Sequence, residues 1–205
     1  MWNERYAQPG FHFGTDPAAF LKAQAHRLSP GSTEMAEADG EGRKSVYLAA
    51  LGHRVTAMDA SPVGIEKARG LAEEAGVEVE YQVADLYAMA WQAEAYDAVV
   101  GIFFQFAPPT ERAEIFRGMD QTLKPGGMLL IHGYAPRQVD YGTGGPPWVE
   151  HMYTLDLLHD AFPGYEVVHA RDYDAEIQEG RGHSGVSGLI DFVARKGGGW
   201  RGWRW

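Results

Sequence analysis

The sequence predicts an α/β fold in which a doubly wound sheet carries helices on both faces. Three observations support this prediction. The chain has 205 residues, an ordinary length for one domain. Hydrophobic residues make up 45% and charged residues 22%, a balance typical of globular proteins. Strand-like and helix-like patterns alternate along the chain, and right-handed crossovers place the helices on both sides of the sheet.

The first half of the chain contains a strand, loop, helix, strand unit. Asp16 and Pro17 begin a helix through AAFLKAQAHRL, as an N-cap followed by proline at the first helical position. A short strand is expected at 33–38, a helix from about 42 to 51, and a β-branched strand at 54–58. These last three elements form a βαβ unit.

The remaining elements continue the alternation. Ser61 and Pro62 cap a helix that runs to about residue 75, and apolar residues alternate with polar ones over 77–83, as in a strand. The apolar run 96–104 suits a strand buried on both faces of a parallel sheet. The later expectations are a helix at 110–123 ended by 124–127, a strand at 128–132, a helix at 155–162, and strands at 165–169 and 186–194.

Composition excludes several classes of function. Lys+Arg 18 against Asp+Glu 28 gives a net charge of −10, which disfavours nucleic acid as a partner. The chain has no cysteine, so disulfide scaffolds, thiolate zinc sites and cysteine nucleophiles are excluded. No apolar stretch reaches the ~18 residues that a membrane span needs, and the N-terminus lacks the apolar core of a signal peptide. We expect a cytoplasmic protein with one domain over 1–196, no metal site, and a disordered tail over 197–205.

Candidate ligand residues follow the ends of successive strands. In an open parallel sheet, ligands bind beyond the carboxyl ends of the strands. Gly40 and Gly42 would let the backbone approach a ligand after the first strand. Asp59 follows the second strand and suits the two hydroxyls of a ribose. Asp85, beside Leu86, follows the third strand and suits an adenine amino group, although a helix cap is an open alternative for it.

The charge of the first loop distinguishes two nucleoside cofactors. A dinucleotide site would have a third glycine where Ser45 stands, and Glu41 would bring negative charge to the pyrophosphate. An acidic loop instead suits a cofactor without phosphate that carries a sulfonium and an ammonium. The loop sequence therefore favours S-adenosylmethionine over a nicotinamide dinucleotide.

The chain resembles the class I S-adenosylmethionine-dependent methyltransferases, and among them the tellurite-resistance-like group. The resemblance extends from about Trp2 to Lys196. The segments that carry it are MWNERY, FGTDP, DGEGRKSVYLAALGHRVTAMDASPVGIEKA, VADL, LKPGGMLLIHGYAPRQ, YGTGGPP and EGRGHSG.

The resemblance implies a Rossmann-like sheet of seven strands, mostly parallel, with an antiparallel last strand. It places Asp39, Gly40 and Gly42 at the methionine end of the cofactor, Asp59 on the ribose and Asp85 near the adenine, with Ile102 and Phe103 flanking the cofactor. The full set of expected cofactor-binding residues is Asp39, Gly40, Gly42, Asp59, Ala60, Asp85, Leu86, Ile102 and Phe103.

The first strand departs from this pattern. Glu34 and Glu37 stand where the family has apolar residues, and Lys44 replaces an asparagine that usually follows Gly-Arg. A buried carboxylate without a partner costs several kcal/mol. The two glutamates therefore either have partners or weaken the strand.

Methyl transfer from a sulfonium is an in-line displacement that requires alignment and exclusion of water, and a base only when the acceptor carries a proton. His132 and Tyr134 end a strand on the cofactor side of the sheet, and His183 lies in a glycine-rich turn. These three are the candidate bases, and Arg181 is a candidate for holding an oxyanion substrate. A surface or structural role is the alternative for each.

Two further segments have open interpretations. Residues 141–147, YGTGGPP, are either a lid or an exposed turn. The aromatic residues Trp2, Tyr6, Phe11 and Phe13 either cover the cofactor or anchor the N-terminus.

The expected activity is methyl transfer from S-adenosylmethionine to a small-molecule acceptor. The alternatives are a module that binds this cofactor with little turnover and a nicotinamide oxidoreductase. The sequence does not determine the oligomeric state.

Overall fold

A computed structural model describes residues 1–198 and shows one seven-stranded sheet. The expected tail therefore lies outside the described residues from position 199 onward. The strands are β1 (Thr33–Glu37), β2 (Arg54–Asp59), β3 (Glu80–Val83), β4 (Tyr96–Ile102), β5 (Leu123–Tyr134), β6 (Glu166–Glu179) and β7 (His183–Arg195).

The strands lie in the order β3-β2-β1-β4-β5-β7-β6. β1 to β5 pair in parallel, and β7 pairs antiparallel with both β5 and β6. The predicted α/β fold with an antiparallel last strand is confirmed. Because β1 and β4 are neighbours at the centre, the strand order reverses there, and the carboxyl ends of these strands form the crevice in which such folds bind ligands.

Helices cover both faces of the sheet, and two apolar clusters fill the spaces between. Residues 96–104 were predicted to form a doubly buried strand, and Val99 and Val100 of β4 are both fully buried. The helices are α1 (Trp2–Tyr6), α2 (Ala19–Gln24), α3 (Arg43–Ala50), α4 (Pro62–Ala75), α5 (Pro109–Thr122), α6 (Gln138–Tyr141) and α7 (Leu155–Ala161), with short 3-10 helices at Ala25–Arg27 and Val149–His151.

The predicted bounds of four strands were wrong. β3 begins at Glu80 instead of residue 77, and β5 begins at Leu123 and includes the 124–127 segment that was expected to precede it. β6 and β7 extend to residues 179 and 183 and form a long hairpin. The hairpin extends beyond β5, and its outer part alternates as a strand does: Tyr173, Ala175 and Ile177 are partly buried, and the polar residues between them are exposed. The strand pattern therefore continues beyond residue 169, where the prediction ended it too early.

β1 forms despite its two glutamates, pairing with β2 and with β4. The side chains of Glu34 and Glu37 are fully buried. Glu34 accepts a hydrogen bond from the Ser32 hydroxyl at 2.9 Å and lies 3.0 Å from Nδ1 of His53. Neither carboxyl oxygen of Glu37 has a hydrogen-bond partner among the described residues. The strand is therefore intact, but the buried carboxyl group of Glu37 has no hydrogen-bond partner among the described residues.

The turn between β1 and α3 requires glycine at position 42. Gly42 has φ +96°, and a Cβ there would lie 2.7 Å from Cβ and 2.8 Å from Cα of Ala68 in α4. We expect Gly42→Ala to lower the free energy of unfolding by about 3 kcal/mol, because it combines backbone strain with overpacking. Gly52 has φ +92° and no neighbour within 4 Å of such a Cβ. Gly52→Ala therefore measures the cost of backbone strain alone, and we expect it to lower the free energy of unfolding by about 1 kcal/mol. Urea unfolding measures the free energy of unfolding of both variants. Equal decreases in the two variants would show that the contact with Ala68 adds no cost.

Candidate functional site

A cavity of about 290 Å³ lies at the carboxyl ends of β1, β2, β3 and β4. This volume is near the lower end of the roughly 300–1,000 Å³ range of small-molecule sites. Eight of the nine residues expected to bind cofactor line it. They are Asp39, Gly40, Asp59, Ala60, Asp85, Leu86, Ile102 and Phe103. Gly42 does not line it and instead shapes the turn that precedes α3.

Two carboxylates are held in place at the first two strand ends. Asp59 accepts hydrogen bonds from the backbone N–H of Gly40 at 2.9 Å and of Ser61 at 2.8 Å. Asp39 accepts from the backbone N–H of Ser45 at 3.1 Å and from its hydroxyl at 2.5 Å. Burial raises the pKa of both carboxyl groups. The hydrogen bond between Gly40 and Asp59 joins the two strand ends directly, so the loop after β1 and the acid after β2 form one unit.

Glu41 lies outside the lining of the cavity. Its side chain is directed to Lys67 at 2.9 Å and to the backbone N–H of His12 at 2.6 Å, and it does not line the cavity. The negative charge that the sequence argument assigned to Glu41 comes instead from Asp39 and Asp59. Glu41 anchors the N-terminal segment to the rest of the domain.

The wall formed after β3 and β4 is mainly apolar. Leu86 is buried, and Asp85 is exposed and accepts a hydrogen bond from the backbone N–H of Tyr87 at 3.0 Å. Phe104 and Phe106 follow Phe103 on the same wall. A flat, apolar surface beside carboxylates suits a nucleoside base and its sugar.

Two non-glycine residues at this edge have left-handed backbone conformations. Ala38 follows β1 with φ +44°, and Phe103 follows β4 with φ +53°. Such conformations cost about 1–3 kcal/mol each and persist where the surrounding structure enforces them, often at functional sites. Both residues line the cavity, so the strain is concentrated at the proposed ligand site.

The N-terminal segment covers the cavity. Trp2, Tyr6 and Phe13 line it, whereas Phe11 does not. The Tyr6 ring lies against Gly40 and Gly64, where an added Cβ would approach it to 2.9 Å, and burial raises the pKa of its phenol above the usual range. Among the two interpretations of these aromatic residues, the structure supports a wall over the cavity for three of the four.

His183 is the candidate base that lines the cavity. It is buried against the rings of Phe13 and Phe103, at centroid distances of 4.5 and 4.1 Å. Its Nδ1 lies 3.5 Å from Oε2 of Glu179, and that oxygen accepts a hydrogen bond from Arg43 at 2.8 Å. Burial lowers the pKa of His183, so the imidazole is neutral and able to accept a proton at pH 7. Burial opposes ionisation of Glu179, but its contact with His183 and its hydrogen bond with Arg43 outweigh burial and lower the pKa of Glu179 to about 2.

His132 and Tyr134 contact the Phe103 ring but do not line the cavity. Their rings are 4.8 and 4.7 Å from the Phe103 ring. Nδ1 of His132 lies 2.8 Å from Oδ1 of Asp191, a residue that the sequence argument did not select. Burial opposes ionisation of Asp191, but hydrogen bonding with His132 contributes to a net lowering of its pKa.

Arg181 is directed toward the N-terminal segment. Its Nη2 donates to the carbonyl of Pro9 at 3.0 Å, and its backbone N–H donates to the carbonyl of His12 at 2.8 Å. It does not line the cavity. The segment 141–147 also stays outside the cavity, since Gly144 and Gly145 lie against Tyr134 and Thr143 bonds to Val186. This packing favours a structural turn over a lid.

Sequence reasoning missed several lining residues, including Arg43, Lys44, Tyr87, Phe104 and Phe106. Each stands within a few positions of a residue that was selected. Tyr87, Phe104 and Phe106 closely follow the ends of β3 and β4, and Arg43 and Lys44 begin α3, so their positions after the strand ends were the available signal. Lys44 was noted as a departure from the family pattern, but no role was assigned to it.

Comparison with known proteins agrees with this geometry. Residues 38–127 match the family described as "Methyltransferase domain". This segment runs from the end of β1 into β5 and contains most of the cavity wall. S-adenosylmethionine is the cofactor that the match implies.

Curated relatives of the segment are ubiquinone biosynthesis O-methyltransferases. The protein from Xanthomonas axonopodis pv. citri is 36% identical over 113 residues, which are 54% of this chain and 47% of that protein. The protein from Methylocella silvestris is 33% identical over 91 residues, 44% of this chain and 35% of that protein. The chain thus spans less than half the length of these two relatives.

Solved structures share the fold over nearly the whole chain. One, from a study of "Conversion of a Disulfide Bond into a Thioacetal Group during Echinomycin Biosynthesis", has a TM-score of 0.75 at 18% identity and covers 95% of this chain and 87% of its own. TehB from Haemophilus influenzae has a TM-score of 0.71 at 20% identity and covers 88% of this chain and 62% of its own. Because the sequence identities are only 18% and 20%, these structures show a shared fold and nothing further about this chain.

The cavity fits a nucleoside with a zwitterionic chain. Its carboxylates, Asp39 and Asp59, suit sugar hydroxyls and an ammonium, and Lys44 suits a carboxylate. Within residues 1–198, no cluster of His, Asp and Glu side chains could hold a metal ion, and no helix is long and apolar enough to cross a membrane.

Proposed function

We propose that this chain transfers a methyl group from S-adenosylmethionine to a small-molecule acceptor. The observation that carries the proposal is the pair of acids after β1 and β2, joined through the Gly40 N–H to Asp59 and lining one cavity. Asp59 would hold the ribose hydroxyls, because its carboxylate is already oriented by two backbone N–H groups. Leu86 and Phe104 would contact the adenine, and Asp39 would face the methionine end.

The chain contributes alignment, exclusion of water and a base. When bound, S-adenosylmethionine supplies an electrophilic methyl group whose bond to sulfur breaks as the acceptor's nucleophilic atom bonds to the carbon. Trp2, Tyr6 and Phe13 would exclude water from this step by covering the cavity. His183 would accept the acceptor's proton, since its neutral imidazole lines the cavity.

The names of the curated relatives support oxygen as the acceptor atom. The resemblance to the tellurite-resistance-like group supports a metalloid oxyanion instead, which Arg181 would hold if the N-terminal segment moved away. A thiol acceptor would need no base once ionised. We therefore propose a phenol, a thiol and a metalloid oxyanion as the acceptor panel.

Two measurements test the proposal. Isothermal titration of S-adenosylhomocysteine should show micromolar binding, and Asp59→Asn should weaken it at least tenfold, because the amide replaces an acceptor with a donor at the ribose. Asp140→Asn, on α6 outside the cavity, serves as the control and should leave the affinity unchanged. Absence of binding by the unmodified chain would reject the proposal.

Transfer of labelled methyl to the acceptor panel then tests turnover. Product with any of the three acceptors supports a methyltransferase. Binding without product on all three would favour the alternative of a binding module with little turnover.

A further inference from the structure

Glu179 is the last residue of β6 and lies opposite His183, the first residue of β7. The two residues form a pair in the antiparallel ladder, and the Cβ atoms of such pairs lie about 4.5–5.5 Å apart on one face of the sheet. The register of the hairpin therefore brings a carboxylate next to the imidazole that lines the cavity.

The Glu179 carboxylate is the ionic partner of His183. Its Oε2 lies 3.5 Å from Nδ1, and this nitrogen has no hydrogen-bond partner among the described residues. His183 is only 5% exposed, and buried polar atoms generally need a partner. Hydrogen bonds of catalytic groups are often long without substrate and shorten when it binds. Oε2 is therefore placed to accept a hydrogen bond from Nδ1.

Arg43 holds the same carboxylate oxygen from α3. Its Nη2 donates to Oε2 of Glu179 at 2.8 Å, and its Nη1 donates to the carbonyls of Phe13 and Asp16 at 3.4 Å each. The side chains of Arg43 and Glu179 are each only 12% exposed, so the pair is largely shielded from solvent. The carboxylate is thus tied to α3 and, through Arg43, to the N-terminal segment whose Phe13 ring packs on His183.

We propose that Glu179 is a positioning residue that holds the proton of the neutral His183 imidazole on Nδ1 and leaves Nε2 free to act as the base. This inference rests on the proposed function, in which His183 accepts the acceptor's proton. That proton moves to Nε2 while the electron pair of its bond stays on the acceptor atom that takes the methyl group. The resulting imidazolium keeps its Nδ1–H toward the carboxylate, whose negative charge stabilises it.

Glu179 also affects the strength of this base. Burial lowers the pKa of His183, the contact with Glu179 raises it, and Arg43 on α3 and His132 on β5 lower it further. Tyr134, also on β5, presents its ring edge at a centroid distance of 5.6 Å. Removal of the charge at Glu179 should therefore lower the pKa of His183 and weaken the base.

The position of the proton can be measured without any acceptor. Long-range ¹H–¹⁵N NMR at pH 8 distinguishes the two neutral tautomers, and the His183 signals are identified by their loss in His183→Gln. We expect the Nδ1–H tautomer in the unmodified chain and a shift toward Nε2–H in Glu179→Met, which removes the acceptor. An NMR titration of the same signals in Glu179→Gln should give a pKa of His183 that is lower by about one unit.

Kinetics then tests the effect on methyl transfer. With a phenol as acceptor, Glu179→Gln should lower kcat about tenfold and change KM less than about twofold, because the residue acts through His183 and does not bind the acceptor. The affinity for S-adenosylhomocysteine should stay within about threefold of the unmodified chain. Glu176→Gln changes an exposed glutamate of the same strand and serves as the matched control, with no expected change in kcat or in the pKa of His183.

An Nε2–H tautomer in the unmodified chain would overturn the proposal, as would an unchanged pKa of His183 in Glu179→Gln. A variant that loses affinity for S-adenosylhomocysteine and raises KM in proportion to the loss of kcat would assign Glu179 to the structure of the hairpin tip and also overturn it. If the unmodified chain transferred no methyl group to any acceptor, the proposed function would fail, whereas the NMR spectra would still decide where the proton is held.

Discussion

Replacing Glu34 and Glu37 together with valine should raise the melting temperature by about 4–8 °C. The reason is that the double variant removes two fully buried carboxyl groups from a central strand. A stabilisation of about 2 kcal/mol is expected from this removal. For a domain of this size, each kcal/mol shifts the melting temperature by about 2–4 °C. Differential scanning calorimetry of the variant and the unmodified chain measures the shift.

The single variants should contribute unequally. Glu37→Val should account for most of the gain, because neither oxygen of Glu37 has a hydrogen-bond partner among the described residues. Glu34→Val should contribute little, because it leaves Ser32 and His53 without their shared acceptor. A lower melting temperature for Glu37→Val would show that its carboxyl group has partners that the structure does not reveal.

The same glutamates should make stability fall as pH rises. Burial raises the pKa of Glu34 to about 7 and that of Glu37 to about 8, from an ordinary value of 4.5. The folded state therefore holds protons that the unfolded state has released, so the free energy of unfolding decreases between about pH 4.5 and 8. In the unmodified chain, each of the two carboxyl groups should lower the free energy of unfolding by about 1 kcal/mol per pH unit in this range. The double variant should lack this dependence.

Replacing His183 with glutamine should lower kcat/KM about a hundredfold for acceptors that are protonated at neutral pH. Among the candidate bases, His183 is the one that lines the cavity. Its lowered pKa places the acid limb of the pH–rate profile below 6.5, with a plateau above it. Labelled methyl transfer across pH 5–9 measures both kcat/KM and the position of the acid limb. The affinity for S-adenosylhomocysteine should change less than threefold.

His132→Gln and Tyr134→Phe serve as matched comparisons. Both residues contact Phe103 but do not line the cavity, so kcat/KM should fall less than tenfold in each variant. A larger loss in His132→Gln than in His183→Gln would assign the base to the pair of His132 and Asp191 instead.

The sheet could be predicted from sequence because its central strands have a strong local signal. The run 96–104 is continuously apolar, and β4 is buried as this pattern requires. The outer part of β6 also carries a local signal, because polar and apolar side chains alternate over residues 172–178, and the prediction was wrong in ending this strand at residue 169. Periodicity alone did not indicate that Glu34 and Glu37 would be buried, because burial of a polar residue depends on the neighbouring strands. The warning came from the resemblance, which puts apolar residues at both positions.

The cavity acids could be predicted because their positions follow from topology alone. Asp39, Asp59 and Asp85 each end a parallel strand, and such ends meet at one edge. His183 and Arg181 are only two residues apart, yet the former lines the cavity and the latter bonds to the N-terminal segment. The sequence does not show which of the two lines the cavity, because their placement depends on how the hairpin tip packs against Phe13 and His12.

The N-terminal segment has a practical consequence for work on this protein. Trp2 begins α1 and lines the cavity, so its indole would touch whatever is held there. Its fluorescence then offers a direct signal of ligand arrival without any added dye. An affinity tag fused before Met1 would sit beside that same opening, and a tag-free amino terminus is the sounder choice for kinetics.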